Sequence, residues 1–163
     1  MKKLIYILLI IIALTNNSFA AGSSSDSDST PKASGYTKAK ELIKTAKKYE
    51  KKGKIEKAQK RYAEAQKLLL KSNDKKPLQA DTLNYLGFTT RKLGDYEGGE
   101  KFYLQGLQIE PNHNGINEYL GELYVATNRM NMAKERLEVL KTCNCEEYEE
   151  LKEIIDGTKK SKY

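Results

Sequence analysis

Leu83-Asn84-Tyr85-Leu86-Gly87-Phe88-Thr89-Thr90-Arg91-Lys92-Leu93-Gly94-Asp95-Tyr96 is the stretch that decides the fold, because its Tyr85-Leu86-Gly87 returns 34 residues later as Tyr119-Leu120-Gly121. Self-similarity at this period marks stacked helix pairs: one pair cannot bury its apolar face alone, and a neighbouring copy covers it. Such a chain is built to hold another molecule on a surface.

Working outward, every segment has helical periodicity. Ala39, Leu42, Ile43, Ala46 and Tyr49 form one apolar stripe that stops at Lys51-Lys52-Gly53, and Ile55, Ala58, Tyr62, Ala65 and Leu69 form a second that runs to about Ser72. Leu83, Leu86, Thr90 and Leu93 precede the Gly94-Asp95 turn, and Tyr96, Phe102, Tyr103, Leu107 and Ile109 follow it, up to Pro111. A third pair carries Ile116, Leu120, Leu123 and Tyr124, then Met130, Ala133, Leu137 and Leu140. The last segment, 146–157, places Tyr148, Leu151, Ile154 and Ile155 on one face and has no partner in sequence, as expected of a cap. The prediction is an all-α, right-handed stack of three helix pairs, at about 37–76, 80–113 and 114–145, with a C-terminal capping helix and a tail at 158–163.

The chain's start reads differently. Lys2 and Lys3, an apolar run from Leu4 to Leu14, and the small residues Ser18 and Ala20 around Phe19 have the form of a secretory leader cut after Ala20. That run is shorter than the roughly 18 to 20 residues a membrane span needs. Residues 21–36 are rich in Ser, Asp, Gly and Thr, with almost nothing to bury, and read as a disordered linker. The expected location is periplasmic or secreted.

Removing the leader lowers the formal charge from +7 to +5, and that charge is unevenly placed. Residues 37–76 hold 15 Lys and Arg against 5 Asp and Glu, whereas 77–163 hold 11 against 15. This polarity reads either as solvated helix faces or as a basic end that docks on an anionic membrane surface or on the acidic end of a second copy, making a homo-oligomer.

The second unit resembles a tetratricopeptide repeat, with Leu83 in the first aromatic slot, Leu86-Gly87 as the Leu-Gly pair, Gly94-Asp95-Tyr96 as the turn, Tyr103 as the later aromatic and Pro111 as the closing proline. The third matches through Leu120-Gly121, Tyr124, Ala133 and Leu137, and the first, degenerate unit through Tyr49, Gly53, Ile55, Ala58, Tyr62 and Ala65. The small residues at Gly87 and Gly121 are expected to let each paired helix approach closely. In the second unit Gly99 and Gly106 stand where the family has alanines, at about 1 kcal/mol each in helix propensity. They serve either close packing or a deliberately soft helix.

What the resemblance implies is a non-enzymatic scaffold or adaptor whose first helices line a concave groove for a peptide or envelope protein. By that resemblance the groove-facing residues are Asn84, Phe88, Arg91 and Lys92, with Glu118 and Glu122 in the third unit; the two cations would suit a segment carrying a carboxylate or phosphate. The version of the family that clamps a C-terminal carboxylate needs Lys and Asn where this chain has Ile43 and Lys47, so it is not expected here.

Cys143 and Cys145 are the chain's two cysteines, and an even count in an exported protein points to a disulfide. A redox-active pair, a Cu(I) carrier and a bond to another protein are the alternatives. The sequence Cys145-Glu146-Glu147-Tyr148 is similar to one in small exported proteobacterial repeat proteins. His113 is the one histidine and reads as a turn residue, and the acidic run 146–153 lacks the spacing of a calcium loop. There is no phosphate-binding glycine loop, nucleophile elbow or zinc-protease motif, so neither a cofactor nor catalysis is expected. Tyr49, Tyr62, Tyr103 and Tyr124 fall at core spacing, which accounts for them without nucleic acid.

Overall fold

The computed structural model describes residues 34–161, and they form seven α-helices. These are α1 (Gly35–Lys51), α2 (Ile55–Lys75), α3 (Ala80–Lys92), α4 (Tyr96–Ile109), α5 (Asn114–Ala126), α6 (Met130–Leu140) and α7 (Glu146–Ile155). The leader expected at 1–20 and most of the linker lie outside the described residues.

Local chemistry sets the ends. Ser34 caps α1, its Oγ accepting from the Thr37 amide at 3.2 Å, so the helix starts at Gly35 instead of the expected Thr37. Asp95 caps α4 in the same way through the Gly98 amide at 2.8 Å. Helix α2 runs to Lys75, beyond the expected Ser72, and ends where Pro77 keeps Lys76 out of the helical region (φ −139°, ψ 85°). Gly53 and Gly94 take φ of 67° and 97° at the turns inside the first two pairs, a region closed to most side chains. In the third pair Asn128 occupies it at 58°.

The pairs α1/α2, α3/α4 and α5/α6 pack together, and α7 lies against both α5 and α6 as a cap. Successive first helices also touch, α1 to α3, α3 to α5 and α5 to α7, whereas the backbones of α2, α4 and α6 stay apart among the described residues. The stack therefore curves, with α1, α3, α5 and α7 forming the inner row.

The glycines show where helices meet. A Cβ on Gly87 would lie 2.5 Å from the Tyr103 ring, so α4 closes on its partner α3 as expected. Gly121 departs from expectation: its space is filled by Leu151 of α7, at 2.5 Å from where a Cβ would stand, and not by the paired helix α6. The cap lies along the inner row, so it is the cap that meets this face of α5. Gly99 abuts the α3 backbone and Gly106 abuts Ile116 of α5, which assigns both to close packing. Tyr119 packs against both of the buried clusters, one around α1–α3 and one around α4–α6, and so joins them.

Cys143 and Cys145 are bonded to each other, with their Cα atoms 5.2 Å apart. Asn144 between them is left-handed (φ 49°), and this turn brings the two side chains to one side. So small a ring restrains the unfolded chain by only about 1.6 kcal/mol. Its position immediately before α7 makes it a clamp on the cap.

Candidate functional site

The inner row brings Asn84, Phe88, Arg91 and Lys92 of α3 together with Glu118 and Glu122 of α5, but it does not present Phe88, Arg91, Lys92 and Glu122 as a groove lining. Arg91 and Glu122 have fully buried side chains, paired at 3.5 Å, and Arg91 Nη1 donates to the Tyr119 carbonyl at 2.7 Å. The Arg91 guanidinium also lies 5.5 to 5.7 Å from the centres of the Phe88, Tyr103 and Tyr119 rings. Lys92 is bound to Glu50 at 2.7 Å, and Glu50 accepts in turn from the Tyr62 hydroxyl at 2.7 Å. Both cations expected to grip an anionic ligand are thus held by carboxylates of the chain itself.

Phe88 is buried for a geometric reason. Lys47 of α1 reaches across it to donate to the Tyr119 hydroxyl at 3.2 Å, and Phe88 lies beneath both, 4.6 Å from the Lys47 ammonium and 5.1 Å from the Tyr119 ring. The row curves tightly enough for a side chain of α1 to reach one of α5 over α3, which closes the middle of the inner face. Burial holds the Tyr119 phenol well above the usual tyrosine range, with the carboxylates of Glu118 and Glu122 adding to the effect.

Glu118 and Glu122 belong to a second interior feature. Their carboxylates and that of Glu150 on α7 lie within 4.8 Å of one another. Arg91 meets this group at Glu122, and Lys159 meets it at Glu150 at 3.1 Å. The cluster is tied by ion pairs from within the chain and joins α3, α5, α7 and the segment after α7.

Beside the closed middle the face opens. A cleft of about 460 Å³ lies between the first turns of α3 and α5, bordered by the α4–α5 connection and by Glu147 of α7. Tyr85 and Tyr119 line it, and so do the acidic residues Asp81, Glu110, Glu118 and Glu147. Asn84 also faces the cleft, is only 6% exposed, and has an Oδ1 without a hydrogen-bond partner. His113, expected as a turn residue, is the N-cap of α5: its Nδ1 accepts from the Ile116 amide at 3.2 Å, and its other ring nitrogen lies 3.2 Å from Asp81. Asn117, fully buried, donates to the Pro111 and His113 carbonyls and so fixes the cleft's rim.

Of the cleft's residues, sequence reasoning placed Asn84 and Glu118 at a binding face and missed Asp81, Tyr85, Glu110, Tyr119 and Glu147. Tyr85 and Tyr119 were in view as the repeat itself, and Glu147 as part of the acidic run. The position before each Leu-Gly pair faces the inner row, and that periodicity was the available signal. The packing residues Leu86, Tyr103, Leu120, Gly121 and Ala133 are all buried, and Pro111 is exposed at the connection.

The first tetratricopeptide domain of the human RPAP3 protein, solved by NMR, is similar at 22% identity and a TM-score of 0.53, over 77% of this chain and 98% of that one. The first tetratricopeptide domain of Spaghetti (RPAP3), bound to the HSP90 peptide SRMEEVD, is 21% identical over 76% of this chain and 94% of that one, with a TM-score of 0.47. No protein-family model matches the chain, and no curated protein does. The fold is that of the tetratricopeptide repeat, all-helical and built from paired helices.

Proposed function

We propose that this protein is an exported, non-enzymatic interaction scaffold that holds a segment of an envelope peptide or protein against its inner face. The observation that carries this reading is the cleft between α3 and α5, an open and polar recess beside the closed middle of the inner face. Its lining offers two tyrosine rings, three carboxamides, an imidazole and several carboxylates, groups that can recognise a segment. Export rests on the leader-like residues 1–20. The Cu(I)-carrier alternative needs free thiolates, and Cys143 and Cys145 are bonded to each other; that bond is common to a structural bridge and to the oxidised form of a thiol carrier, and no further observation favours the carrier.

Photo-crosslinking in the native host tests the scaffold. A benzophenone side chain at Tyr85, in the cleft, should give discrete protein adducts in the envelope fraction, and one at Leu104, exposed on α4, should not. Equal labelling from both positions, or none from Tyr85, would overturn the assignment of the face. Intact mass of the exported protein should show a first residue of Ala21; a retained leader would overturn processing.

A further inference from the structure

We infer that the end of the first helix pair away from its turn docks on an anionic phospholipid surface, with Leu70 and Leu78 entering the bilayer and Lys71, Lys75 and Lys76 meeting its headgroup phosphates. The inference is independent of the cleft, and it selects one of the readings that the uneven charge allows.

Length is the first observation. Helix α2 has 21 residues, whereas its counterparts α4 and α6 have 14 and 11. All three start just after their turns, at Gly53-Lys54, Gly94-Asp95 and Asn128-Arg129, so the excess falls at the C-terminal end of α2. A Cβ on Gly35, the first residue of α1, would stand 3.6 Å from the Leu68 carbonyl oxygen. The last two turns of α2 therefore run past the start of α1, by roughly 10 Å at about 1.5 Å per residue.

Packing accounts for Leu69 on this extension, which is buried, and not for its neighbours. Leu70 is 42% exposed, and Leu78 in the connection to α3 is 68% exposed, the most of any large apolar side chain among the described residues. Leu78 is also left-handed, at φ 59°. The other non-glycine residues in that region are Asn128 and Asn144, whose short polar side chain suits it, whereas a leucine there carries backbone strain. Neither the local backbone nor the core accounts for a leucine at 78. An apolar medium outside the chain does.

Charge is the second observation. Residues 37–76 carry 15 Lys and Arg against 5 Asp and Glu. Within α2 the one ion pair among the described residues joins Arg61 to Glu64, and Lys71, Lys75 and Lys76 are exposed with no carboxylate bound to them. These three lysines line a groove of about 570 Å³ between the end of α2 and the starts of α1 and α3, where Tyr36 and Leu68 supply apolar wall. The acidic residue of that groove, Asp81, lies 3.2 Å from the His113 ring, and Asp74 is the one carboxylate on the extension itself. Lysines set around exposed leucines are what an interfacial segment needs: the apolar side chains lie below the headgroups while the ammonium groups stay level with the phosphates.

Solvated helix faces would account for the lysines and leave the leucines unexplained. A second copy suits the surface less well, because at the acidic end of the chain Glu153 and Asp156 are already bound to Lys159 and Lys152. Charge pairing would also give the leucines nothing to enter.

The test is co-sedimentation of the chain from Ala21 onward, since an apolar leader would itself bind lipid, with vesicles of phosphatidylcholine alone or mixed with phosphatidylglycerol. Binding should be at least about tenfold tighter to the anionic vesicles and should weaken with added salt. Equal binding to both kinds, or to neither, would overturn the inference. Lys71→Gln, Lys75→Gln and Lys76→Gln together should weaken binding roughly hundredfold, and Lys54→Gln, Lys57→Gln and Lys60→Gln, at the other end of α2, far less. Equal losses would assign binding to diffuse charge and overturn the role of the extension. Leu78→Asn should weaken binding roughly tenfold without lowering the thermal midpoint, because asparagine suits the left-handed backbone. Undiminished affinity in that variant would overturn insertion. The chain has no tryptophan, so Leu78→Trp introduces a single reporter. Its emission should shift to the blue with anionic vesicles, and that of Leu104→Trp, exposed on α4, should not. Unshifted emission from position 78 would overturn the inference. Sedimentation equilibrium without vesicles should return a monomer; salt-sensitive self-association abolished by the Lys71, Lys75 and Lys76 substitutions would overturn the inference and assign the surface to a second copy.

Discussion

Replacing Arg91 by alanine separates the two roles that this residue has been given. A groove-lining arginine would be worth almost nothing to stability, since surface substitutions stay within about 0.5 kcal/mol. In the structure the Arg91 and Glu122 side chains are both shielded from solvent and lie 3.5 Å apart, and Arg91 also donates to the Tyr119 carbonyl. Removing one member of a buried pair leaves the other charged in a poorly solvated site, at about 3–5 kcal/mol. The 3.5 Å separation argues for the lower half of that range, and the lost carbonyl hydrogen bond and ring contacts argue for the upper, so about 4 kcal/mol is expected. For a domain of about 130 residues, with an unfolding entropy near 2.1 cal/mol/K per residue, this lowers the melting midpoint by roughly 15 °C. Far-ultraviolet circular dichroism during urea and thermal unfolding is the appropriate assay, because the chain has no tryptophan. Arg91→Met combined with Glu122→Leu should recover part of the loss by exchanging the charges for apolar volume. A single Arg91→Ala variant as stable as the parent would refute the burial argument and return Arg91 to the groove.

Gly121→Ala should loosen the cap, because its Cβ would stand 2.5 Å from Leu151 Cδ2 and Leu151 has no exposed surface to move into. Overpacking of about 1–3 kcal/mol exceeds the ~1 kcal/mol that alanine adds in helix propensity, so amides of 146–155 should exchange faster; unchanged protection would mean that the site relaxes freely. Alkali should unfold the protein between about pH 10 and pH 12: burial pushes Tyr36 and Tyr124 up to about 12, from 10.0, and raises Tyr62, Tyr85, Tyr103 and Tyr119 as well. The unfolded chain releases these protons first, so the stability present below pH 10 is lost as pH climbs through the folded values. Tyrosinate absorbance that completes its rise near pH 10 while the helical signal persists would contradict this.

The fold was legible because its determinants are local. The 34-residue recurrence, the glycines at 53 and 94 and the apolar stripes each act within one or two helices, and the observed helix ends differ by only a few residues where Ser34 and Pro77 act. The site was not legible, because it depends on curvature. Asn84, Phe88, Arg91 and Lys92 do share a side of α3, as helical spacing requires, but whether that side is a groove depends on how far the inner row bends. Lys47 meeting Tyr119 across 72 residues is a fact about the whole stack. Nothing in the neighbourhood of either residue announces it. Gly121 shows the same limit: its smallness signals a close approach, and which helix arrives follows from where the unpaired α7 settles.

The cap and the cleft are consequently one mechanical unit. Glu147 borders the cleft, Leu151 fills the space over Gly121, and Glu150 joins the buried carboxylates of Glu118 and Glu122; all three residues lie within about one turn of α7. The Cys143–Cys145 bond sits at the entrance to that turn. A capping helix that served only to cover apolar surface could shift along α5 at little cost in burial. This one cannot, because Leu151 fits against a single glycine of α5. The close fit of Leu151 against Gly121 therefore does something a general apolar cover would not: it fixes the register of α7, and with it the placement of Glu147 at the cleft.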